Sequence, residues 1–205
     1  MLDDVAASLP VFLMMGNHDR RQPFFDTFAD YPCLAGLTAG QRIHYVASLP
    51  NDTALIVLDS LQEGHDEGRI DAAQLAWLDR TLASLSGKTI LLAVHHPMID
   101  VHNPMMNSIG LQDADRLRDV LSRHPPVAQI LCGHVHRDLR GSFAGAPVCI
   151  CPSASFAYAA DVSDESLDEL CREAPAFLLH QVGTGGALRS EKQDLPLFAA
   201  PAANG

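Results

Sequence analysis

Three short apolar runs in this chain end alike, and that constrains its fold more than any other feature. VFLMM (11–15) gives way to Gly16-Asn17-His18-Asp19, TILLAV (89–94) to His95-His96-Pro97, and VAQILC (127–132) to Gly133-His134-Val135-His136-Arg137. Apolar runs of this length read as strands buried on both faces. If the three are parallel neighbours, their polar clusters meet at one sheet edge, where open α/β sheets take their ligands. A turn explains any one cluster: Gly16 and Asn17 tolerate positive φ, and Asp19 can cap a helix. Three such endings together point to a metal site.

The rest of the chain alternates strand and helix. Residues 20–30 (RRQPFFDTFAD) predict a short helix or irregular segment, and 43–49 (IHYVASL) a half-buried strand. TALIVLDS (53–60) reads as a buried strand. In 71–85, Ala73, Leu75, Leu78, Leu82 and Leu85 recur at helical spacing behind Asp71 as N-cap. A second helix over 112–124 turns Leu117, Val120 and Leu121 inward, and VCIC beyond Pro147 and AFLLHQV (176–182) read as further strands. Such alternation implies an α/β architecture. The two strands within 36–60 have no helix between them, so part of the sheet is mixed. One domain is expected over 1–191, and the Ala/Pro-rich tail 192–205 is expected to fray.

Composition removes several function classes. Hydrophobic residues make up 47% and charged residues 19%, as in soluble globular chains. No apolar run approaches the ~20 residues that cross a bilayer, and acids stand where a secretory leader would be basic. A net charge of −11 repels a nucleic-acid polymer but leaves room for a small anion offset by a metal. The five cysteines are odd in number and form no CxxC pair. That speaks against a disulfide framework or zinc finger and for a reducing cytoplasm.

Within the clusters, His134 and His136 are two apart, so in an extended segment they share a face. Imidazoles suit zinc, iron and manganese-class ions, and an amide oxygen adds a hard ligand. Gly16 and Gly133 let the backbone approach closely. His44, His124 and His180 read as structural or exposed. His65 lies in a polar surface loop, His102 is a second candidate for the pocket wall, and Arg137 a candidate substrate contact or surface ion pair. The MMNSIGL stretch after His102 is placed to cover the pocket.

GNHD, HHP and GHVHR, in that order, resemble the calcineurin-like metallophosphoesterases. LIVLDS, GRIDAAQLAWLDRTL and LCGHVHR resemble the branch that holds class III cyclic-nucleotide phosphodiesterases and bacterial glycerophosphodiesterases, over roughly residues 3–160. The resemblance implies a four-layer α/β/β/α sandwich and two divalent metals (Mn, Fe, Zn or Co). It implies Asn17, His95 and His134 as ligands of one metal and His136 of the other. It implies His18 as the group that contacts phosphate and protonates the leaving oxygen, with Asp19 orienting it. His96 matches a less essential second histidine outside the ligand set. The family opens with strands ending in Asp-x-His and Gly-Asp, which supply further ligands and a bridging carboxylate. Neither motif is present here, and Asp3 and Asp4 follow no apolar strand. The expectation is therefore an N-terminally truncated sandwich.

The implied activity is hydrolysis of a small phosphodiester, of cyclic-nucleotide or glycerophosphodiester type, by a metal-activated hydroxide. The alternatives are a non-catalytic remnant that binds one metal, and a half-enzyme completed by a partner chain or N-terminal segment. A homo-oligomer is compatible with either.

Overall fold

The computed structural model describes residues 2–155, 157–158, 170–171, 174–183 and 187–195. Its helices are α1 (Leu2–Ala6), α2 (Arg21–Phe28), α3 (Ala72–Ser84), α4 (Pro104–Ser108) and α5 (Ala114–Leu121). Its strands are β1 (Tyr45–Leu49), β2 (Thr53–Leu58), β3 (Gly68–Arg69), β4 (Thr89–Val94), β5 (Leu111–Gln112), β6 (Gln129–Cys132), β7 (Leu139–Phe143) and β8 (Ala146–Ile150). They continue with β9 (Ala157–Tyr158), β10 (Leu170–Cys171), β11 (Ala176–Val182) and β12 (Leu188–Asp194).

Six strands form the central sheet in the order β1-β2-β4-β6-β8-β7. β2, β4, β6 and β8 are parallel, and antiparallel β1 and β7 close the two edges. The sheet is thus mixed, as the helix-free stretch 36–60 predicts. Strand periodicity sorts the side chains onto two faces. Ile56, Leu58, Leu92, Val94, Ile130, Val148 and Ile150 face α3 and α5, against Leu75, Leu78, Leu82, Leu117, Val120 and Leu121. The alternate residues Val57 and Ala93, with Leu55 and Leu131, join Met15, Phe24, Phe25, Leu34 and Ile43 on the other face. Both faces are dry, and this is why the parallel strands read as continuous apolar runs rather than as alternation.

Hairpin β11–β12, a separate two-stranded sheet, lies on the second face. Ser190 Oγ donates to Gln129 Oε1 at 3.2 Å, and Ala176 N–H to the Ser153 carbonyl at 2.9 Å. β12 pairs as far as Asp194↔Ala176, so Lys192, Gln193 and Asp194 belong to the ladder and not to a frayed tail. Residues 196–205 lie outside the described residues.

Residues 11–15 make no ladder with any strand among the described residues. The sheet edges belong to β1 and β7, and β4 and β6 already pair with each other, so the segment crosses the second face. There Met15 is buried and the Leu13 carbonyl accepts from Tyr45 Oη at 2.8 Å. In α3, Asp71 caps as predicted, its carboxylate accepting from Gln74 N–H at 2.8 Å. The inward face, however, includes Gln74 in place of exposed Ala73. Gln74 tolerates burial because its amide takes both backbone groups of Asp59, at 2.7 and 2.9 Å.

Candidate metal centre

β4 and β6 are parallel neighbours in register Ala93↔Leu131, and Gly133 N–H extends the ladder to the His95 carbonyl at 3.0 Å. His95, His96 and His134 therefore emerge side by side at the carboxyl edge. The 11–16 segment arrives across the sheet face and delivers Asn17 to the same point. Its Oδ1 lies 3.1 Å from His95 Nε2 and 3.3 Å from His134 Nδ1. Gly16 makes this approach feasible, since a Cβ there would stand 2.8 Å from His95 Cε1.

A short hydrogen-bonded turn holds the Asn17 loop. Asp19 Oδ2 accepts from Gly16 N–H at 2.7 Å, so the contact this carboxylate makes is with the backbone of the turn. Behind it, Arg21 grips the fully buried Asp59 carboxylate through Nε and Nη2 at 3.1 and 3.0 Å, and Asp59 also accepts from Ile43 and Leu61 N–H. The fork ties the start of α2 to the end of β2.

His134 and His136 do not lie in an extended segment. Their φ values are +71° and +58°, and Val135 N–H reaches back to the Gly133 carbonyl at 2.8 Å. Two non-glycine residues in the left-handed region cost of order 1 kcal/mol each, and such strain gathers at functional sites. The turn carries both imidazoles to one pocket of about 130 Å³, which Asn17 and exposed His18 also line. Its apolar lining is Met105, Met106 and Ile109, from the α4 stretch predicted to cover the site. His102 is exposed and is not part of the lining, and neither are His65 and Arg137.

The histidines differ in what they leave available. His96 is fully buried, and its Nε2 lies 3.1 Å from the Asp66 carbonyl. A carbonyl only accepts, so this nitrogen carries the proton and Nδ1 accepts from Ser60 Oγ at 2.7 Å. His96 is close enough to His95 and His134 to join a three-histidine cluster, but both of its nitrogens are engaged. His134, by contrast, turns Nδ1 toward Asn17 Oδ1 at 3.3 Å, with its buried Nε2 on the far side of the ring. Burial, reinforced by neighbouring imidazoles, lowers the pKa of His95 to about 2, of His96 to about 3 and of His134 to about 4. All three rings are neutral near pH 7, the state that ligates metals.

Asn17, His95 and His134 fit one divalent cation. Ligand atoms on a single ion with bonds of about 2.1 Å stand roughly 3.0–3.4 Å apart, the spacing found around Asn17 Oδ1. His136 lines the same pocket. The sequence reading missed Asp66, which also lines the pocket. Its one signal in the sequence is its place in the glycine-flanked loop Gly64-His65-Asp66-Glu67-Gly68.

The family model of the calcineurin-like phosphoesterases matches residues 1–138. The chain belongs to that family. Members use divalent metals, and the histidine cluster is placed to hold one. Among relatives, the 3',5'-cyclic adenosine monophosphate phosphodiesterase CpdA of Escherichia coli K12 is 27% identical over 175 residues, covering 85% of this chain and 61% of that protein. A cAMP/cGMP dual specificity phosphodiesterase of Mycobacterium tuberculosis is 34% identical over 159 residues, covering 76% and 48%. A probable glycerophosphodiester phosphodiesterase GpdQ of Arcobacter nitrofigilis is 27% identical, covering 84% and 62%. The chain thus spans about three-fifths or less of the length of these relatives. A dimetal phosphatase from Danio rerio shares the fold at a TM-score of 0.59 and 18% identity, covering 74% of this chain and 65% of that one. No helix among the described residues is long and apolar enough to cross a membrane.

Proposed function

We propose that this calcineurin-like phosphoesterase chain hydrolyses small phosphodiesters with divalent cations held by Asn17, His95 and His134, and with His136 serving a second ion. The observation that carries the reading is the convergence of His95 Nε2 and His134 Nδ1 on one amide oxygen. Relatives named for cyclic nucleotides and glycerophosphodiesters support a small diester substrate. The ligand set suits Mn, Fe, Zn or Co. Cys33, Cys132, Cys149 and Cys151 are free thiols, which fits a reducing cytoplasm.

The cations supply Lewis acidity, activating water near neutral pH and neutralising phosphate charge. The protein does the rest. His18, exposed at the pocket, gives an imidazole proton to the leaving oxygen, general-acid work worth about 10²–10⁴-fold. Asp19 orients it indirectly, by bonding Gly16 N–H and holding the turn that carries Asn17 and His18. Met105, Met106 and Ile109 pack an ester substituent and exclude water on that side.

Turnover of a bis-aryl phosphodiester with added Mn²⁺ tests the proposal. It is expected to exceed the buffer rate and to vanish in Asn17→Ala and His134→Ala; no turnover with metal verified as bound counts against it. A second reading, one cation and no hydrolysis, draws on the neutral donor set: among the described residues the cluster contains no carboxylate ligand. Metal stoichiometry separates the two, since two ions per chain exclude the second reading.

A further inference from the structure

We propose that Asp66 acts as a charge filter at the pocket, favouring singly charged phosphodiesters over doubly charged phosphomonoesters. The inference rests on the phosphoryl-binding reading above and adds to it a residue that sets specificity.

Asp66 is the carboxylate on a pocket wall otherwise made of imidazoles, one amide and apolar side chains. On the same loop Glu67 lies 3.2 Å from His65, and Glu63 3.6 Å from Arg21. Asp66 has no Lys or Arg partner among the described residues, so its charge is left to act on the pocket. It lines the same pocket as His134 and His136.

The placement is fixed from behind. His96 Nε2 donates to the Asp66 carbonyl, and His96 is itself locked on Ser60. Two residues on, Gly68 lies so close to His96 that a Cβ would stand 2.2 Å from Nδ1. The loop is therefore pinned to the second histidine of HHP, and His96 works as a positioning residue although both of its nitrogens are engaged.

Cations attract a dianion more than a monoanion, which alone favours monoesters. A carboxylate on the exposed, backbone-pinned Asp66 works in the opposite sense, repelling the dianion twice as strongly. The apolar wall of Met105, Met106 and Ile109 adds a place for the second ester substituent, which a monoester lacks.

The test is calorimetric binding to the Mn²⁺-loaded full chain at pH 8, where a phosphomonoester is a dianion. The probes are phenyl phosphate and methyl phenyl phosphate. In Asp66→Asn, the ratio of the two dissociation constants is expected to move about fivefold toward phenyl phosphate, the scale of one unit of charge near a wet surface. The change should shrink as salt is raised, and Asp66→Glu should retain the parent ratio. An unmoved ratio in a variant with parental metal stoichiometry and melting temperature overturns the filter alone. If neither anion binds the loaded parent, both the filter and the phosphoesterase reading fail.

Discussion

At Gly16, a single hydrogen atom in place of a methyl group decides whether Asn17 can reach His95. A Cβ there would sit 2.8 Å from Cε1 and 3.0 Å from Nε2 of a ring held among other rings. In Gly16→Ala the imidazole must shift, and Nε2 leaves Asn17 Oδ1. Affinity for Zn²⁺ or Mn²⁺ by titration calorimetry is expected to fall at least about tenfold, the scale of losing a ligand's support. Gly133→Ala, whose Cβ would lie 3.2 Å from Nδ1, should lose less; equal losses would contradict the geometry. The same buried rings fix the response to acid. The folded-state pKa values of His95, His96 and His134 lie below the ordinary 6.5, so between pH 6.5 and about 4 the unfolded chain binds protons that the folded chain refuses. Stability is complete above pH 6.5 and declines as pH falls through this window, by up to about 1.4 kcal/mol per pH unit for each ring. Urea midpoints in the presence of chelator at pH 7.5 and 5 measure the slope, and a flat profile would refute neutral burial.

Secondary-structure elements hold these residues in place through one buried carboxylate. Asp59, at the end of β2, binds the Arg21 fork of α2, lies 3.7 Å from Arg42 and accepts the Ile43 and Leu61 N–H groups, while Gln74 of α3 takes its backbone. Its side chain is 0% exposed. Asp59→Ala leaves Arg21 and two backbone donors without their acceptor, and is expected to cost about 3–5 kcal/mol in denaturant unfolding. Asp71→Ala removes the α3 cap and a half-buried Arg42 contact, and should cost about 1–2 kcal/mol. Comparable losses would mean that Asp59 is not the hub described. The contrast also shows which information the sequence carried. The Asp71 cap, the buried strands β2, β4 and β6, and the inward triad Leu117, Val120 and Leu121 rest on local spacing and were legible. The burial of Gln74 depends on Asp59, fifteen residues away, and the left-handed φ of His134 and His136 is imposed by tertiary packing against local preference. Neither leaves a local signal. The 11–15 segment has the composition of a strand, but pairing requires a free edge, which composition does not report.

For the whole molecule, the site is also a fastener. Asn17, His95 and His134 come from three segments separated by 78 and 117 residues from the first, so they converge only when the chain is folded. The convergence itself was legible, because each cluster follows its own apolar run; the route of the first segment across the sheet face was not. A cation that binds this convergence and not the unfolded chain must stabilise the fold by mass action. At free Zn²⁺ about a hundred times its dissociation constant, unfolding free energy should rise by about 2.7 kcal/mol, and chelator should reverse the gain. His134→Ala and Asn17→Ala should both abolish the increment. His102→Ala, on an exposed ring with 85% of its side chain accessible, should preserve it. The readout is the unfolding midpoint and requires no catalysis, so it tests the geometry separately from the chemistry. A metal increment that survived both ligand substitutions would place the cation elsewhere in the molecule, and the shared grip of Asn17, His95 and His134 would have to be abandoned.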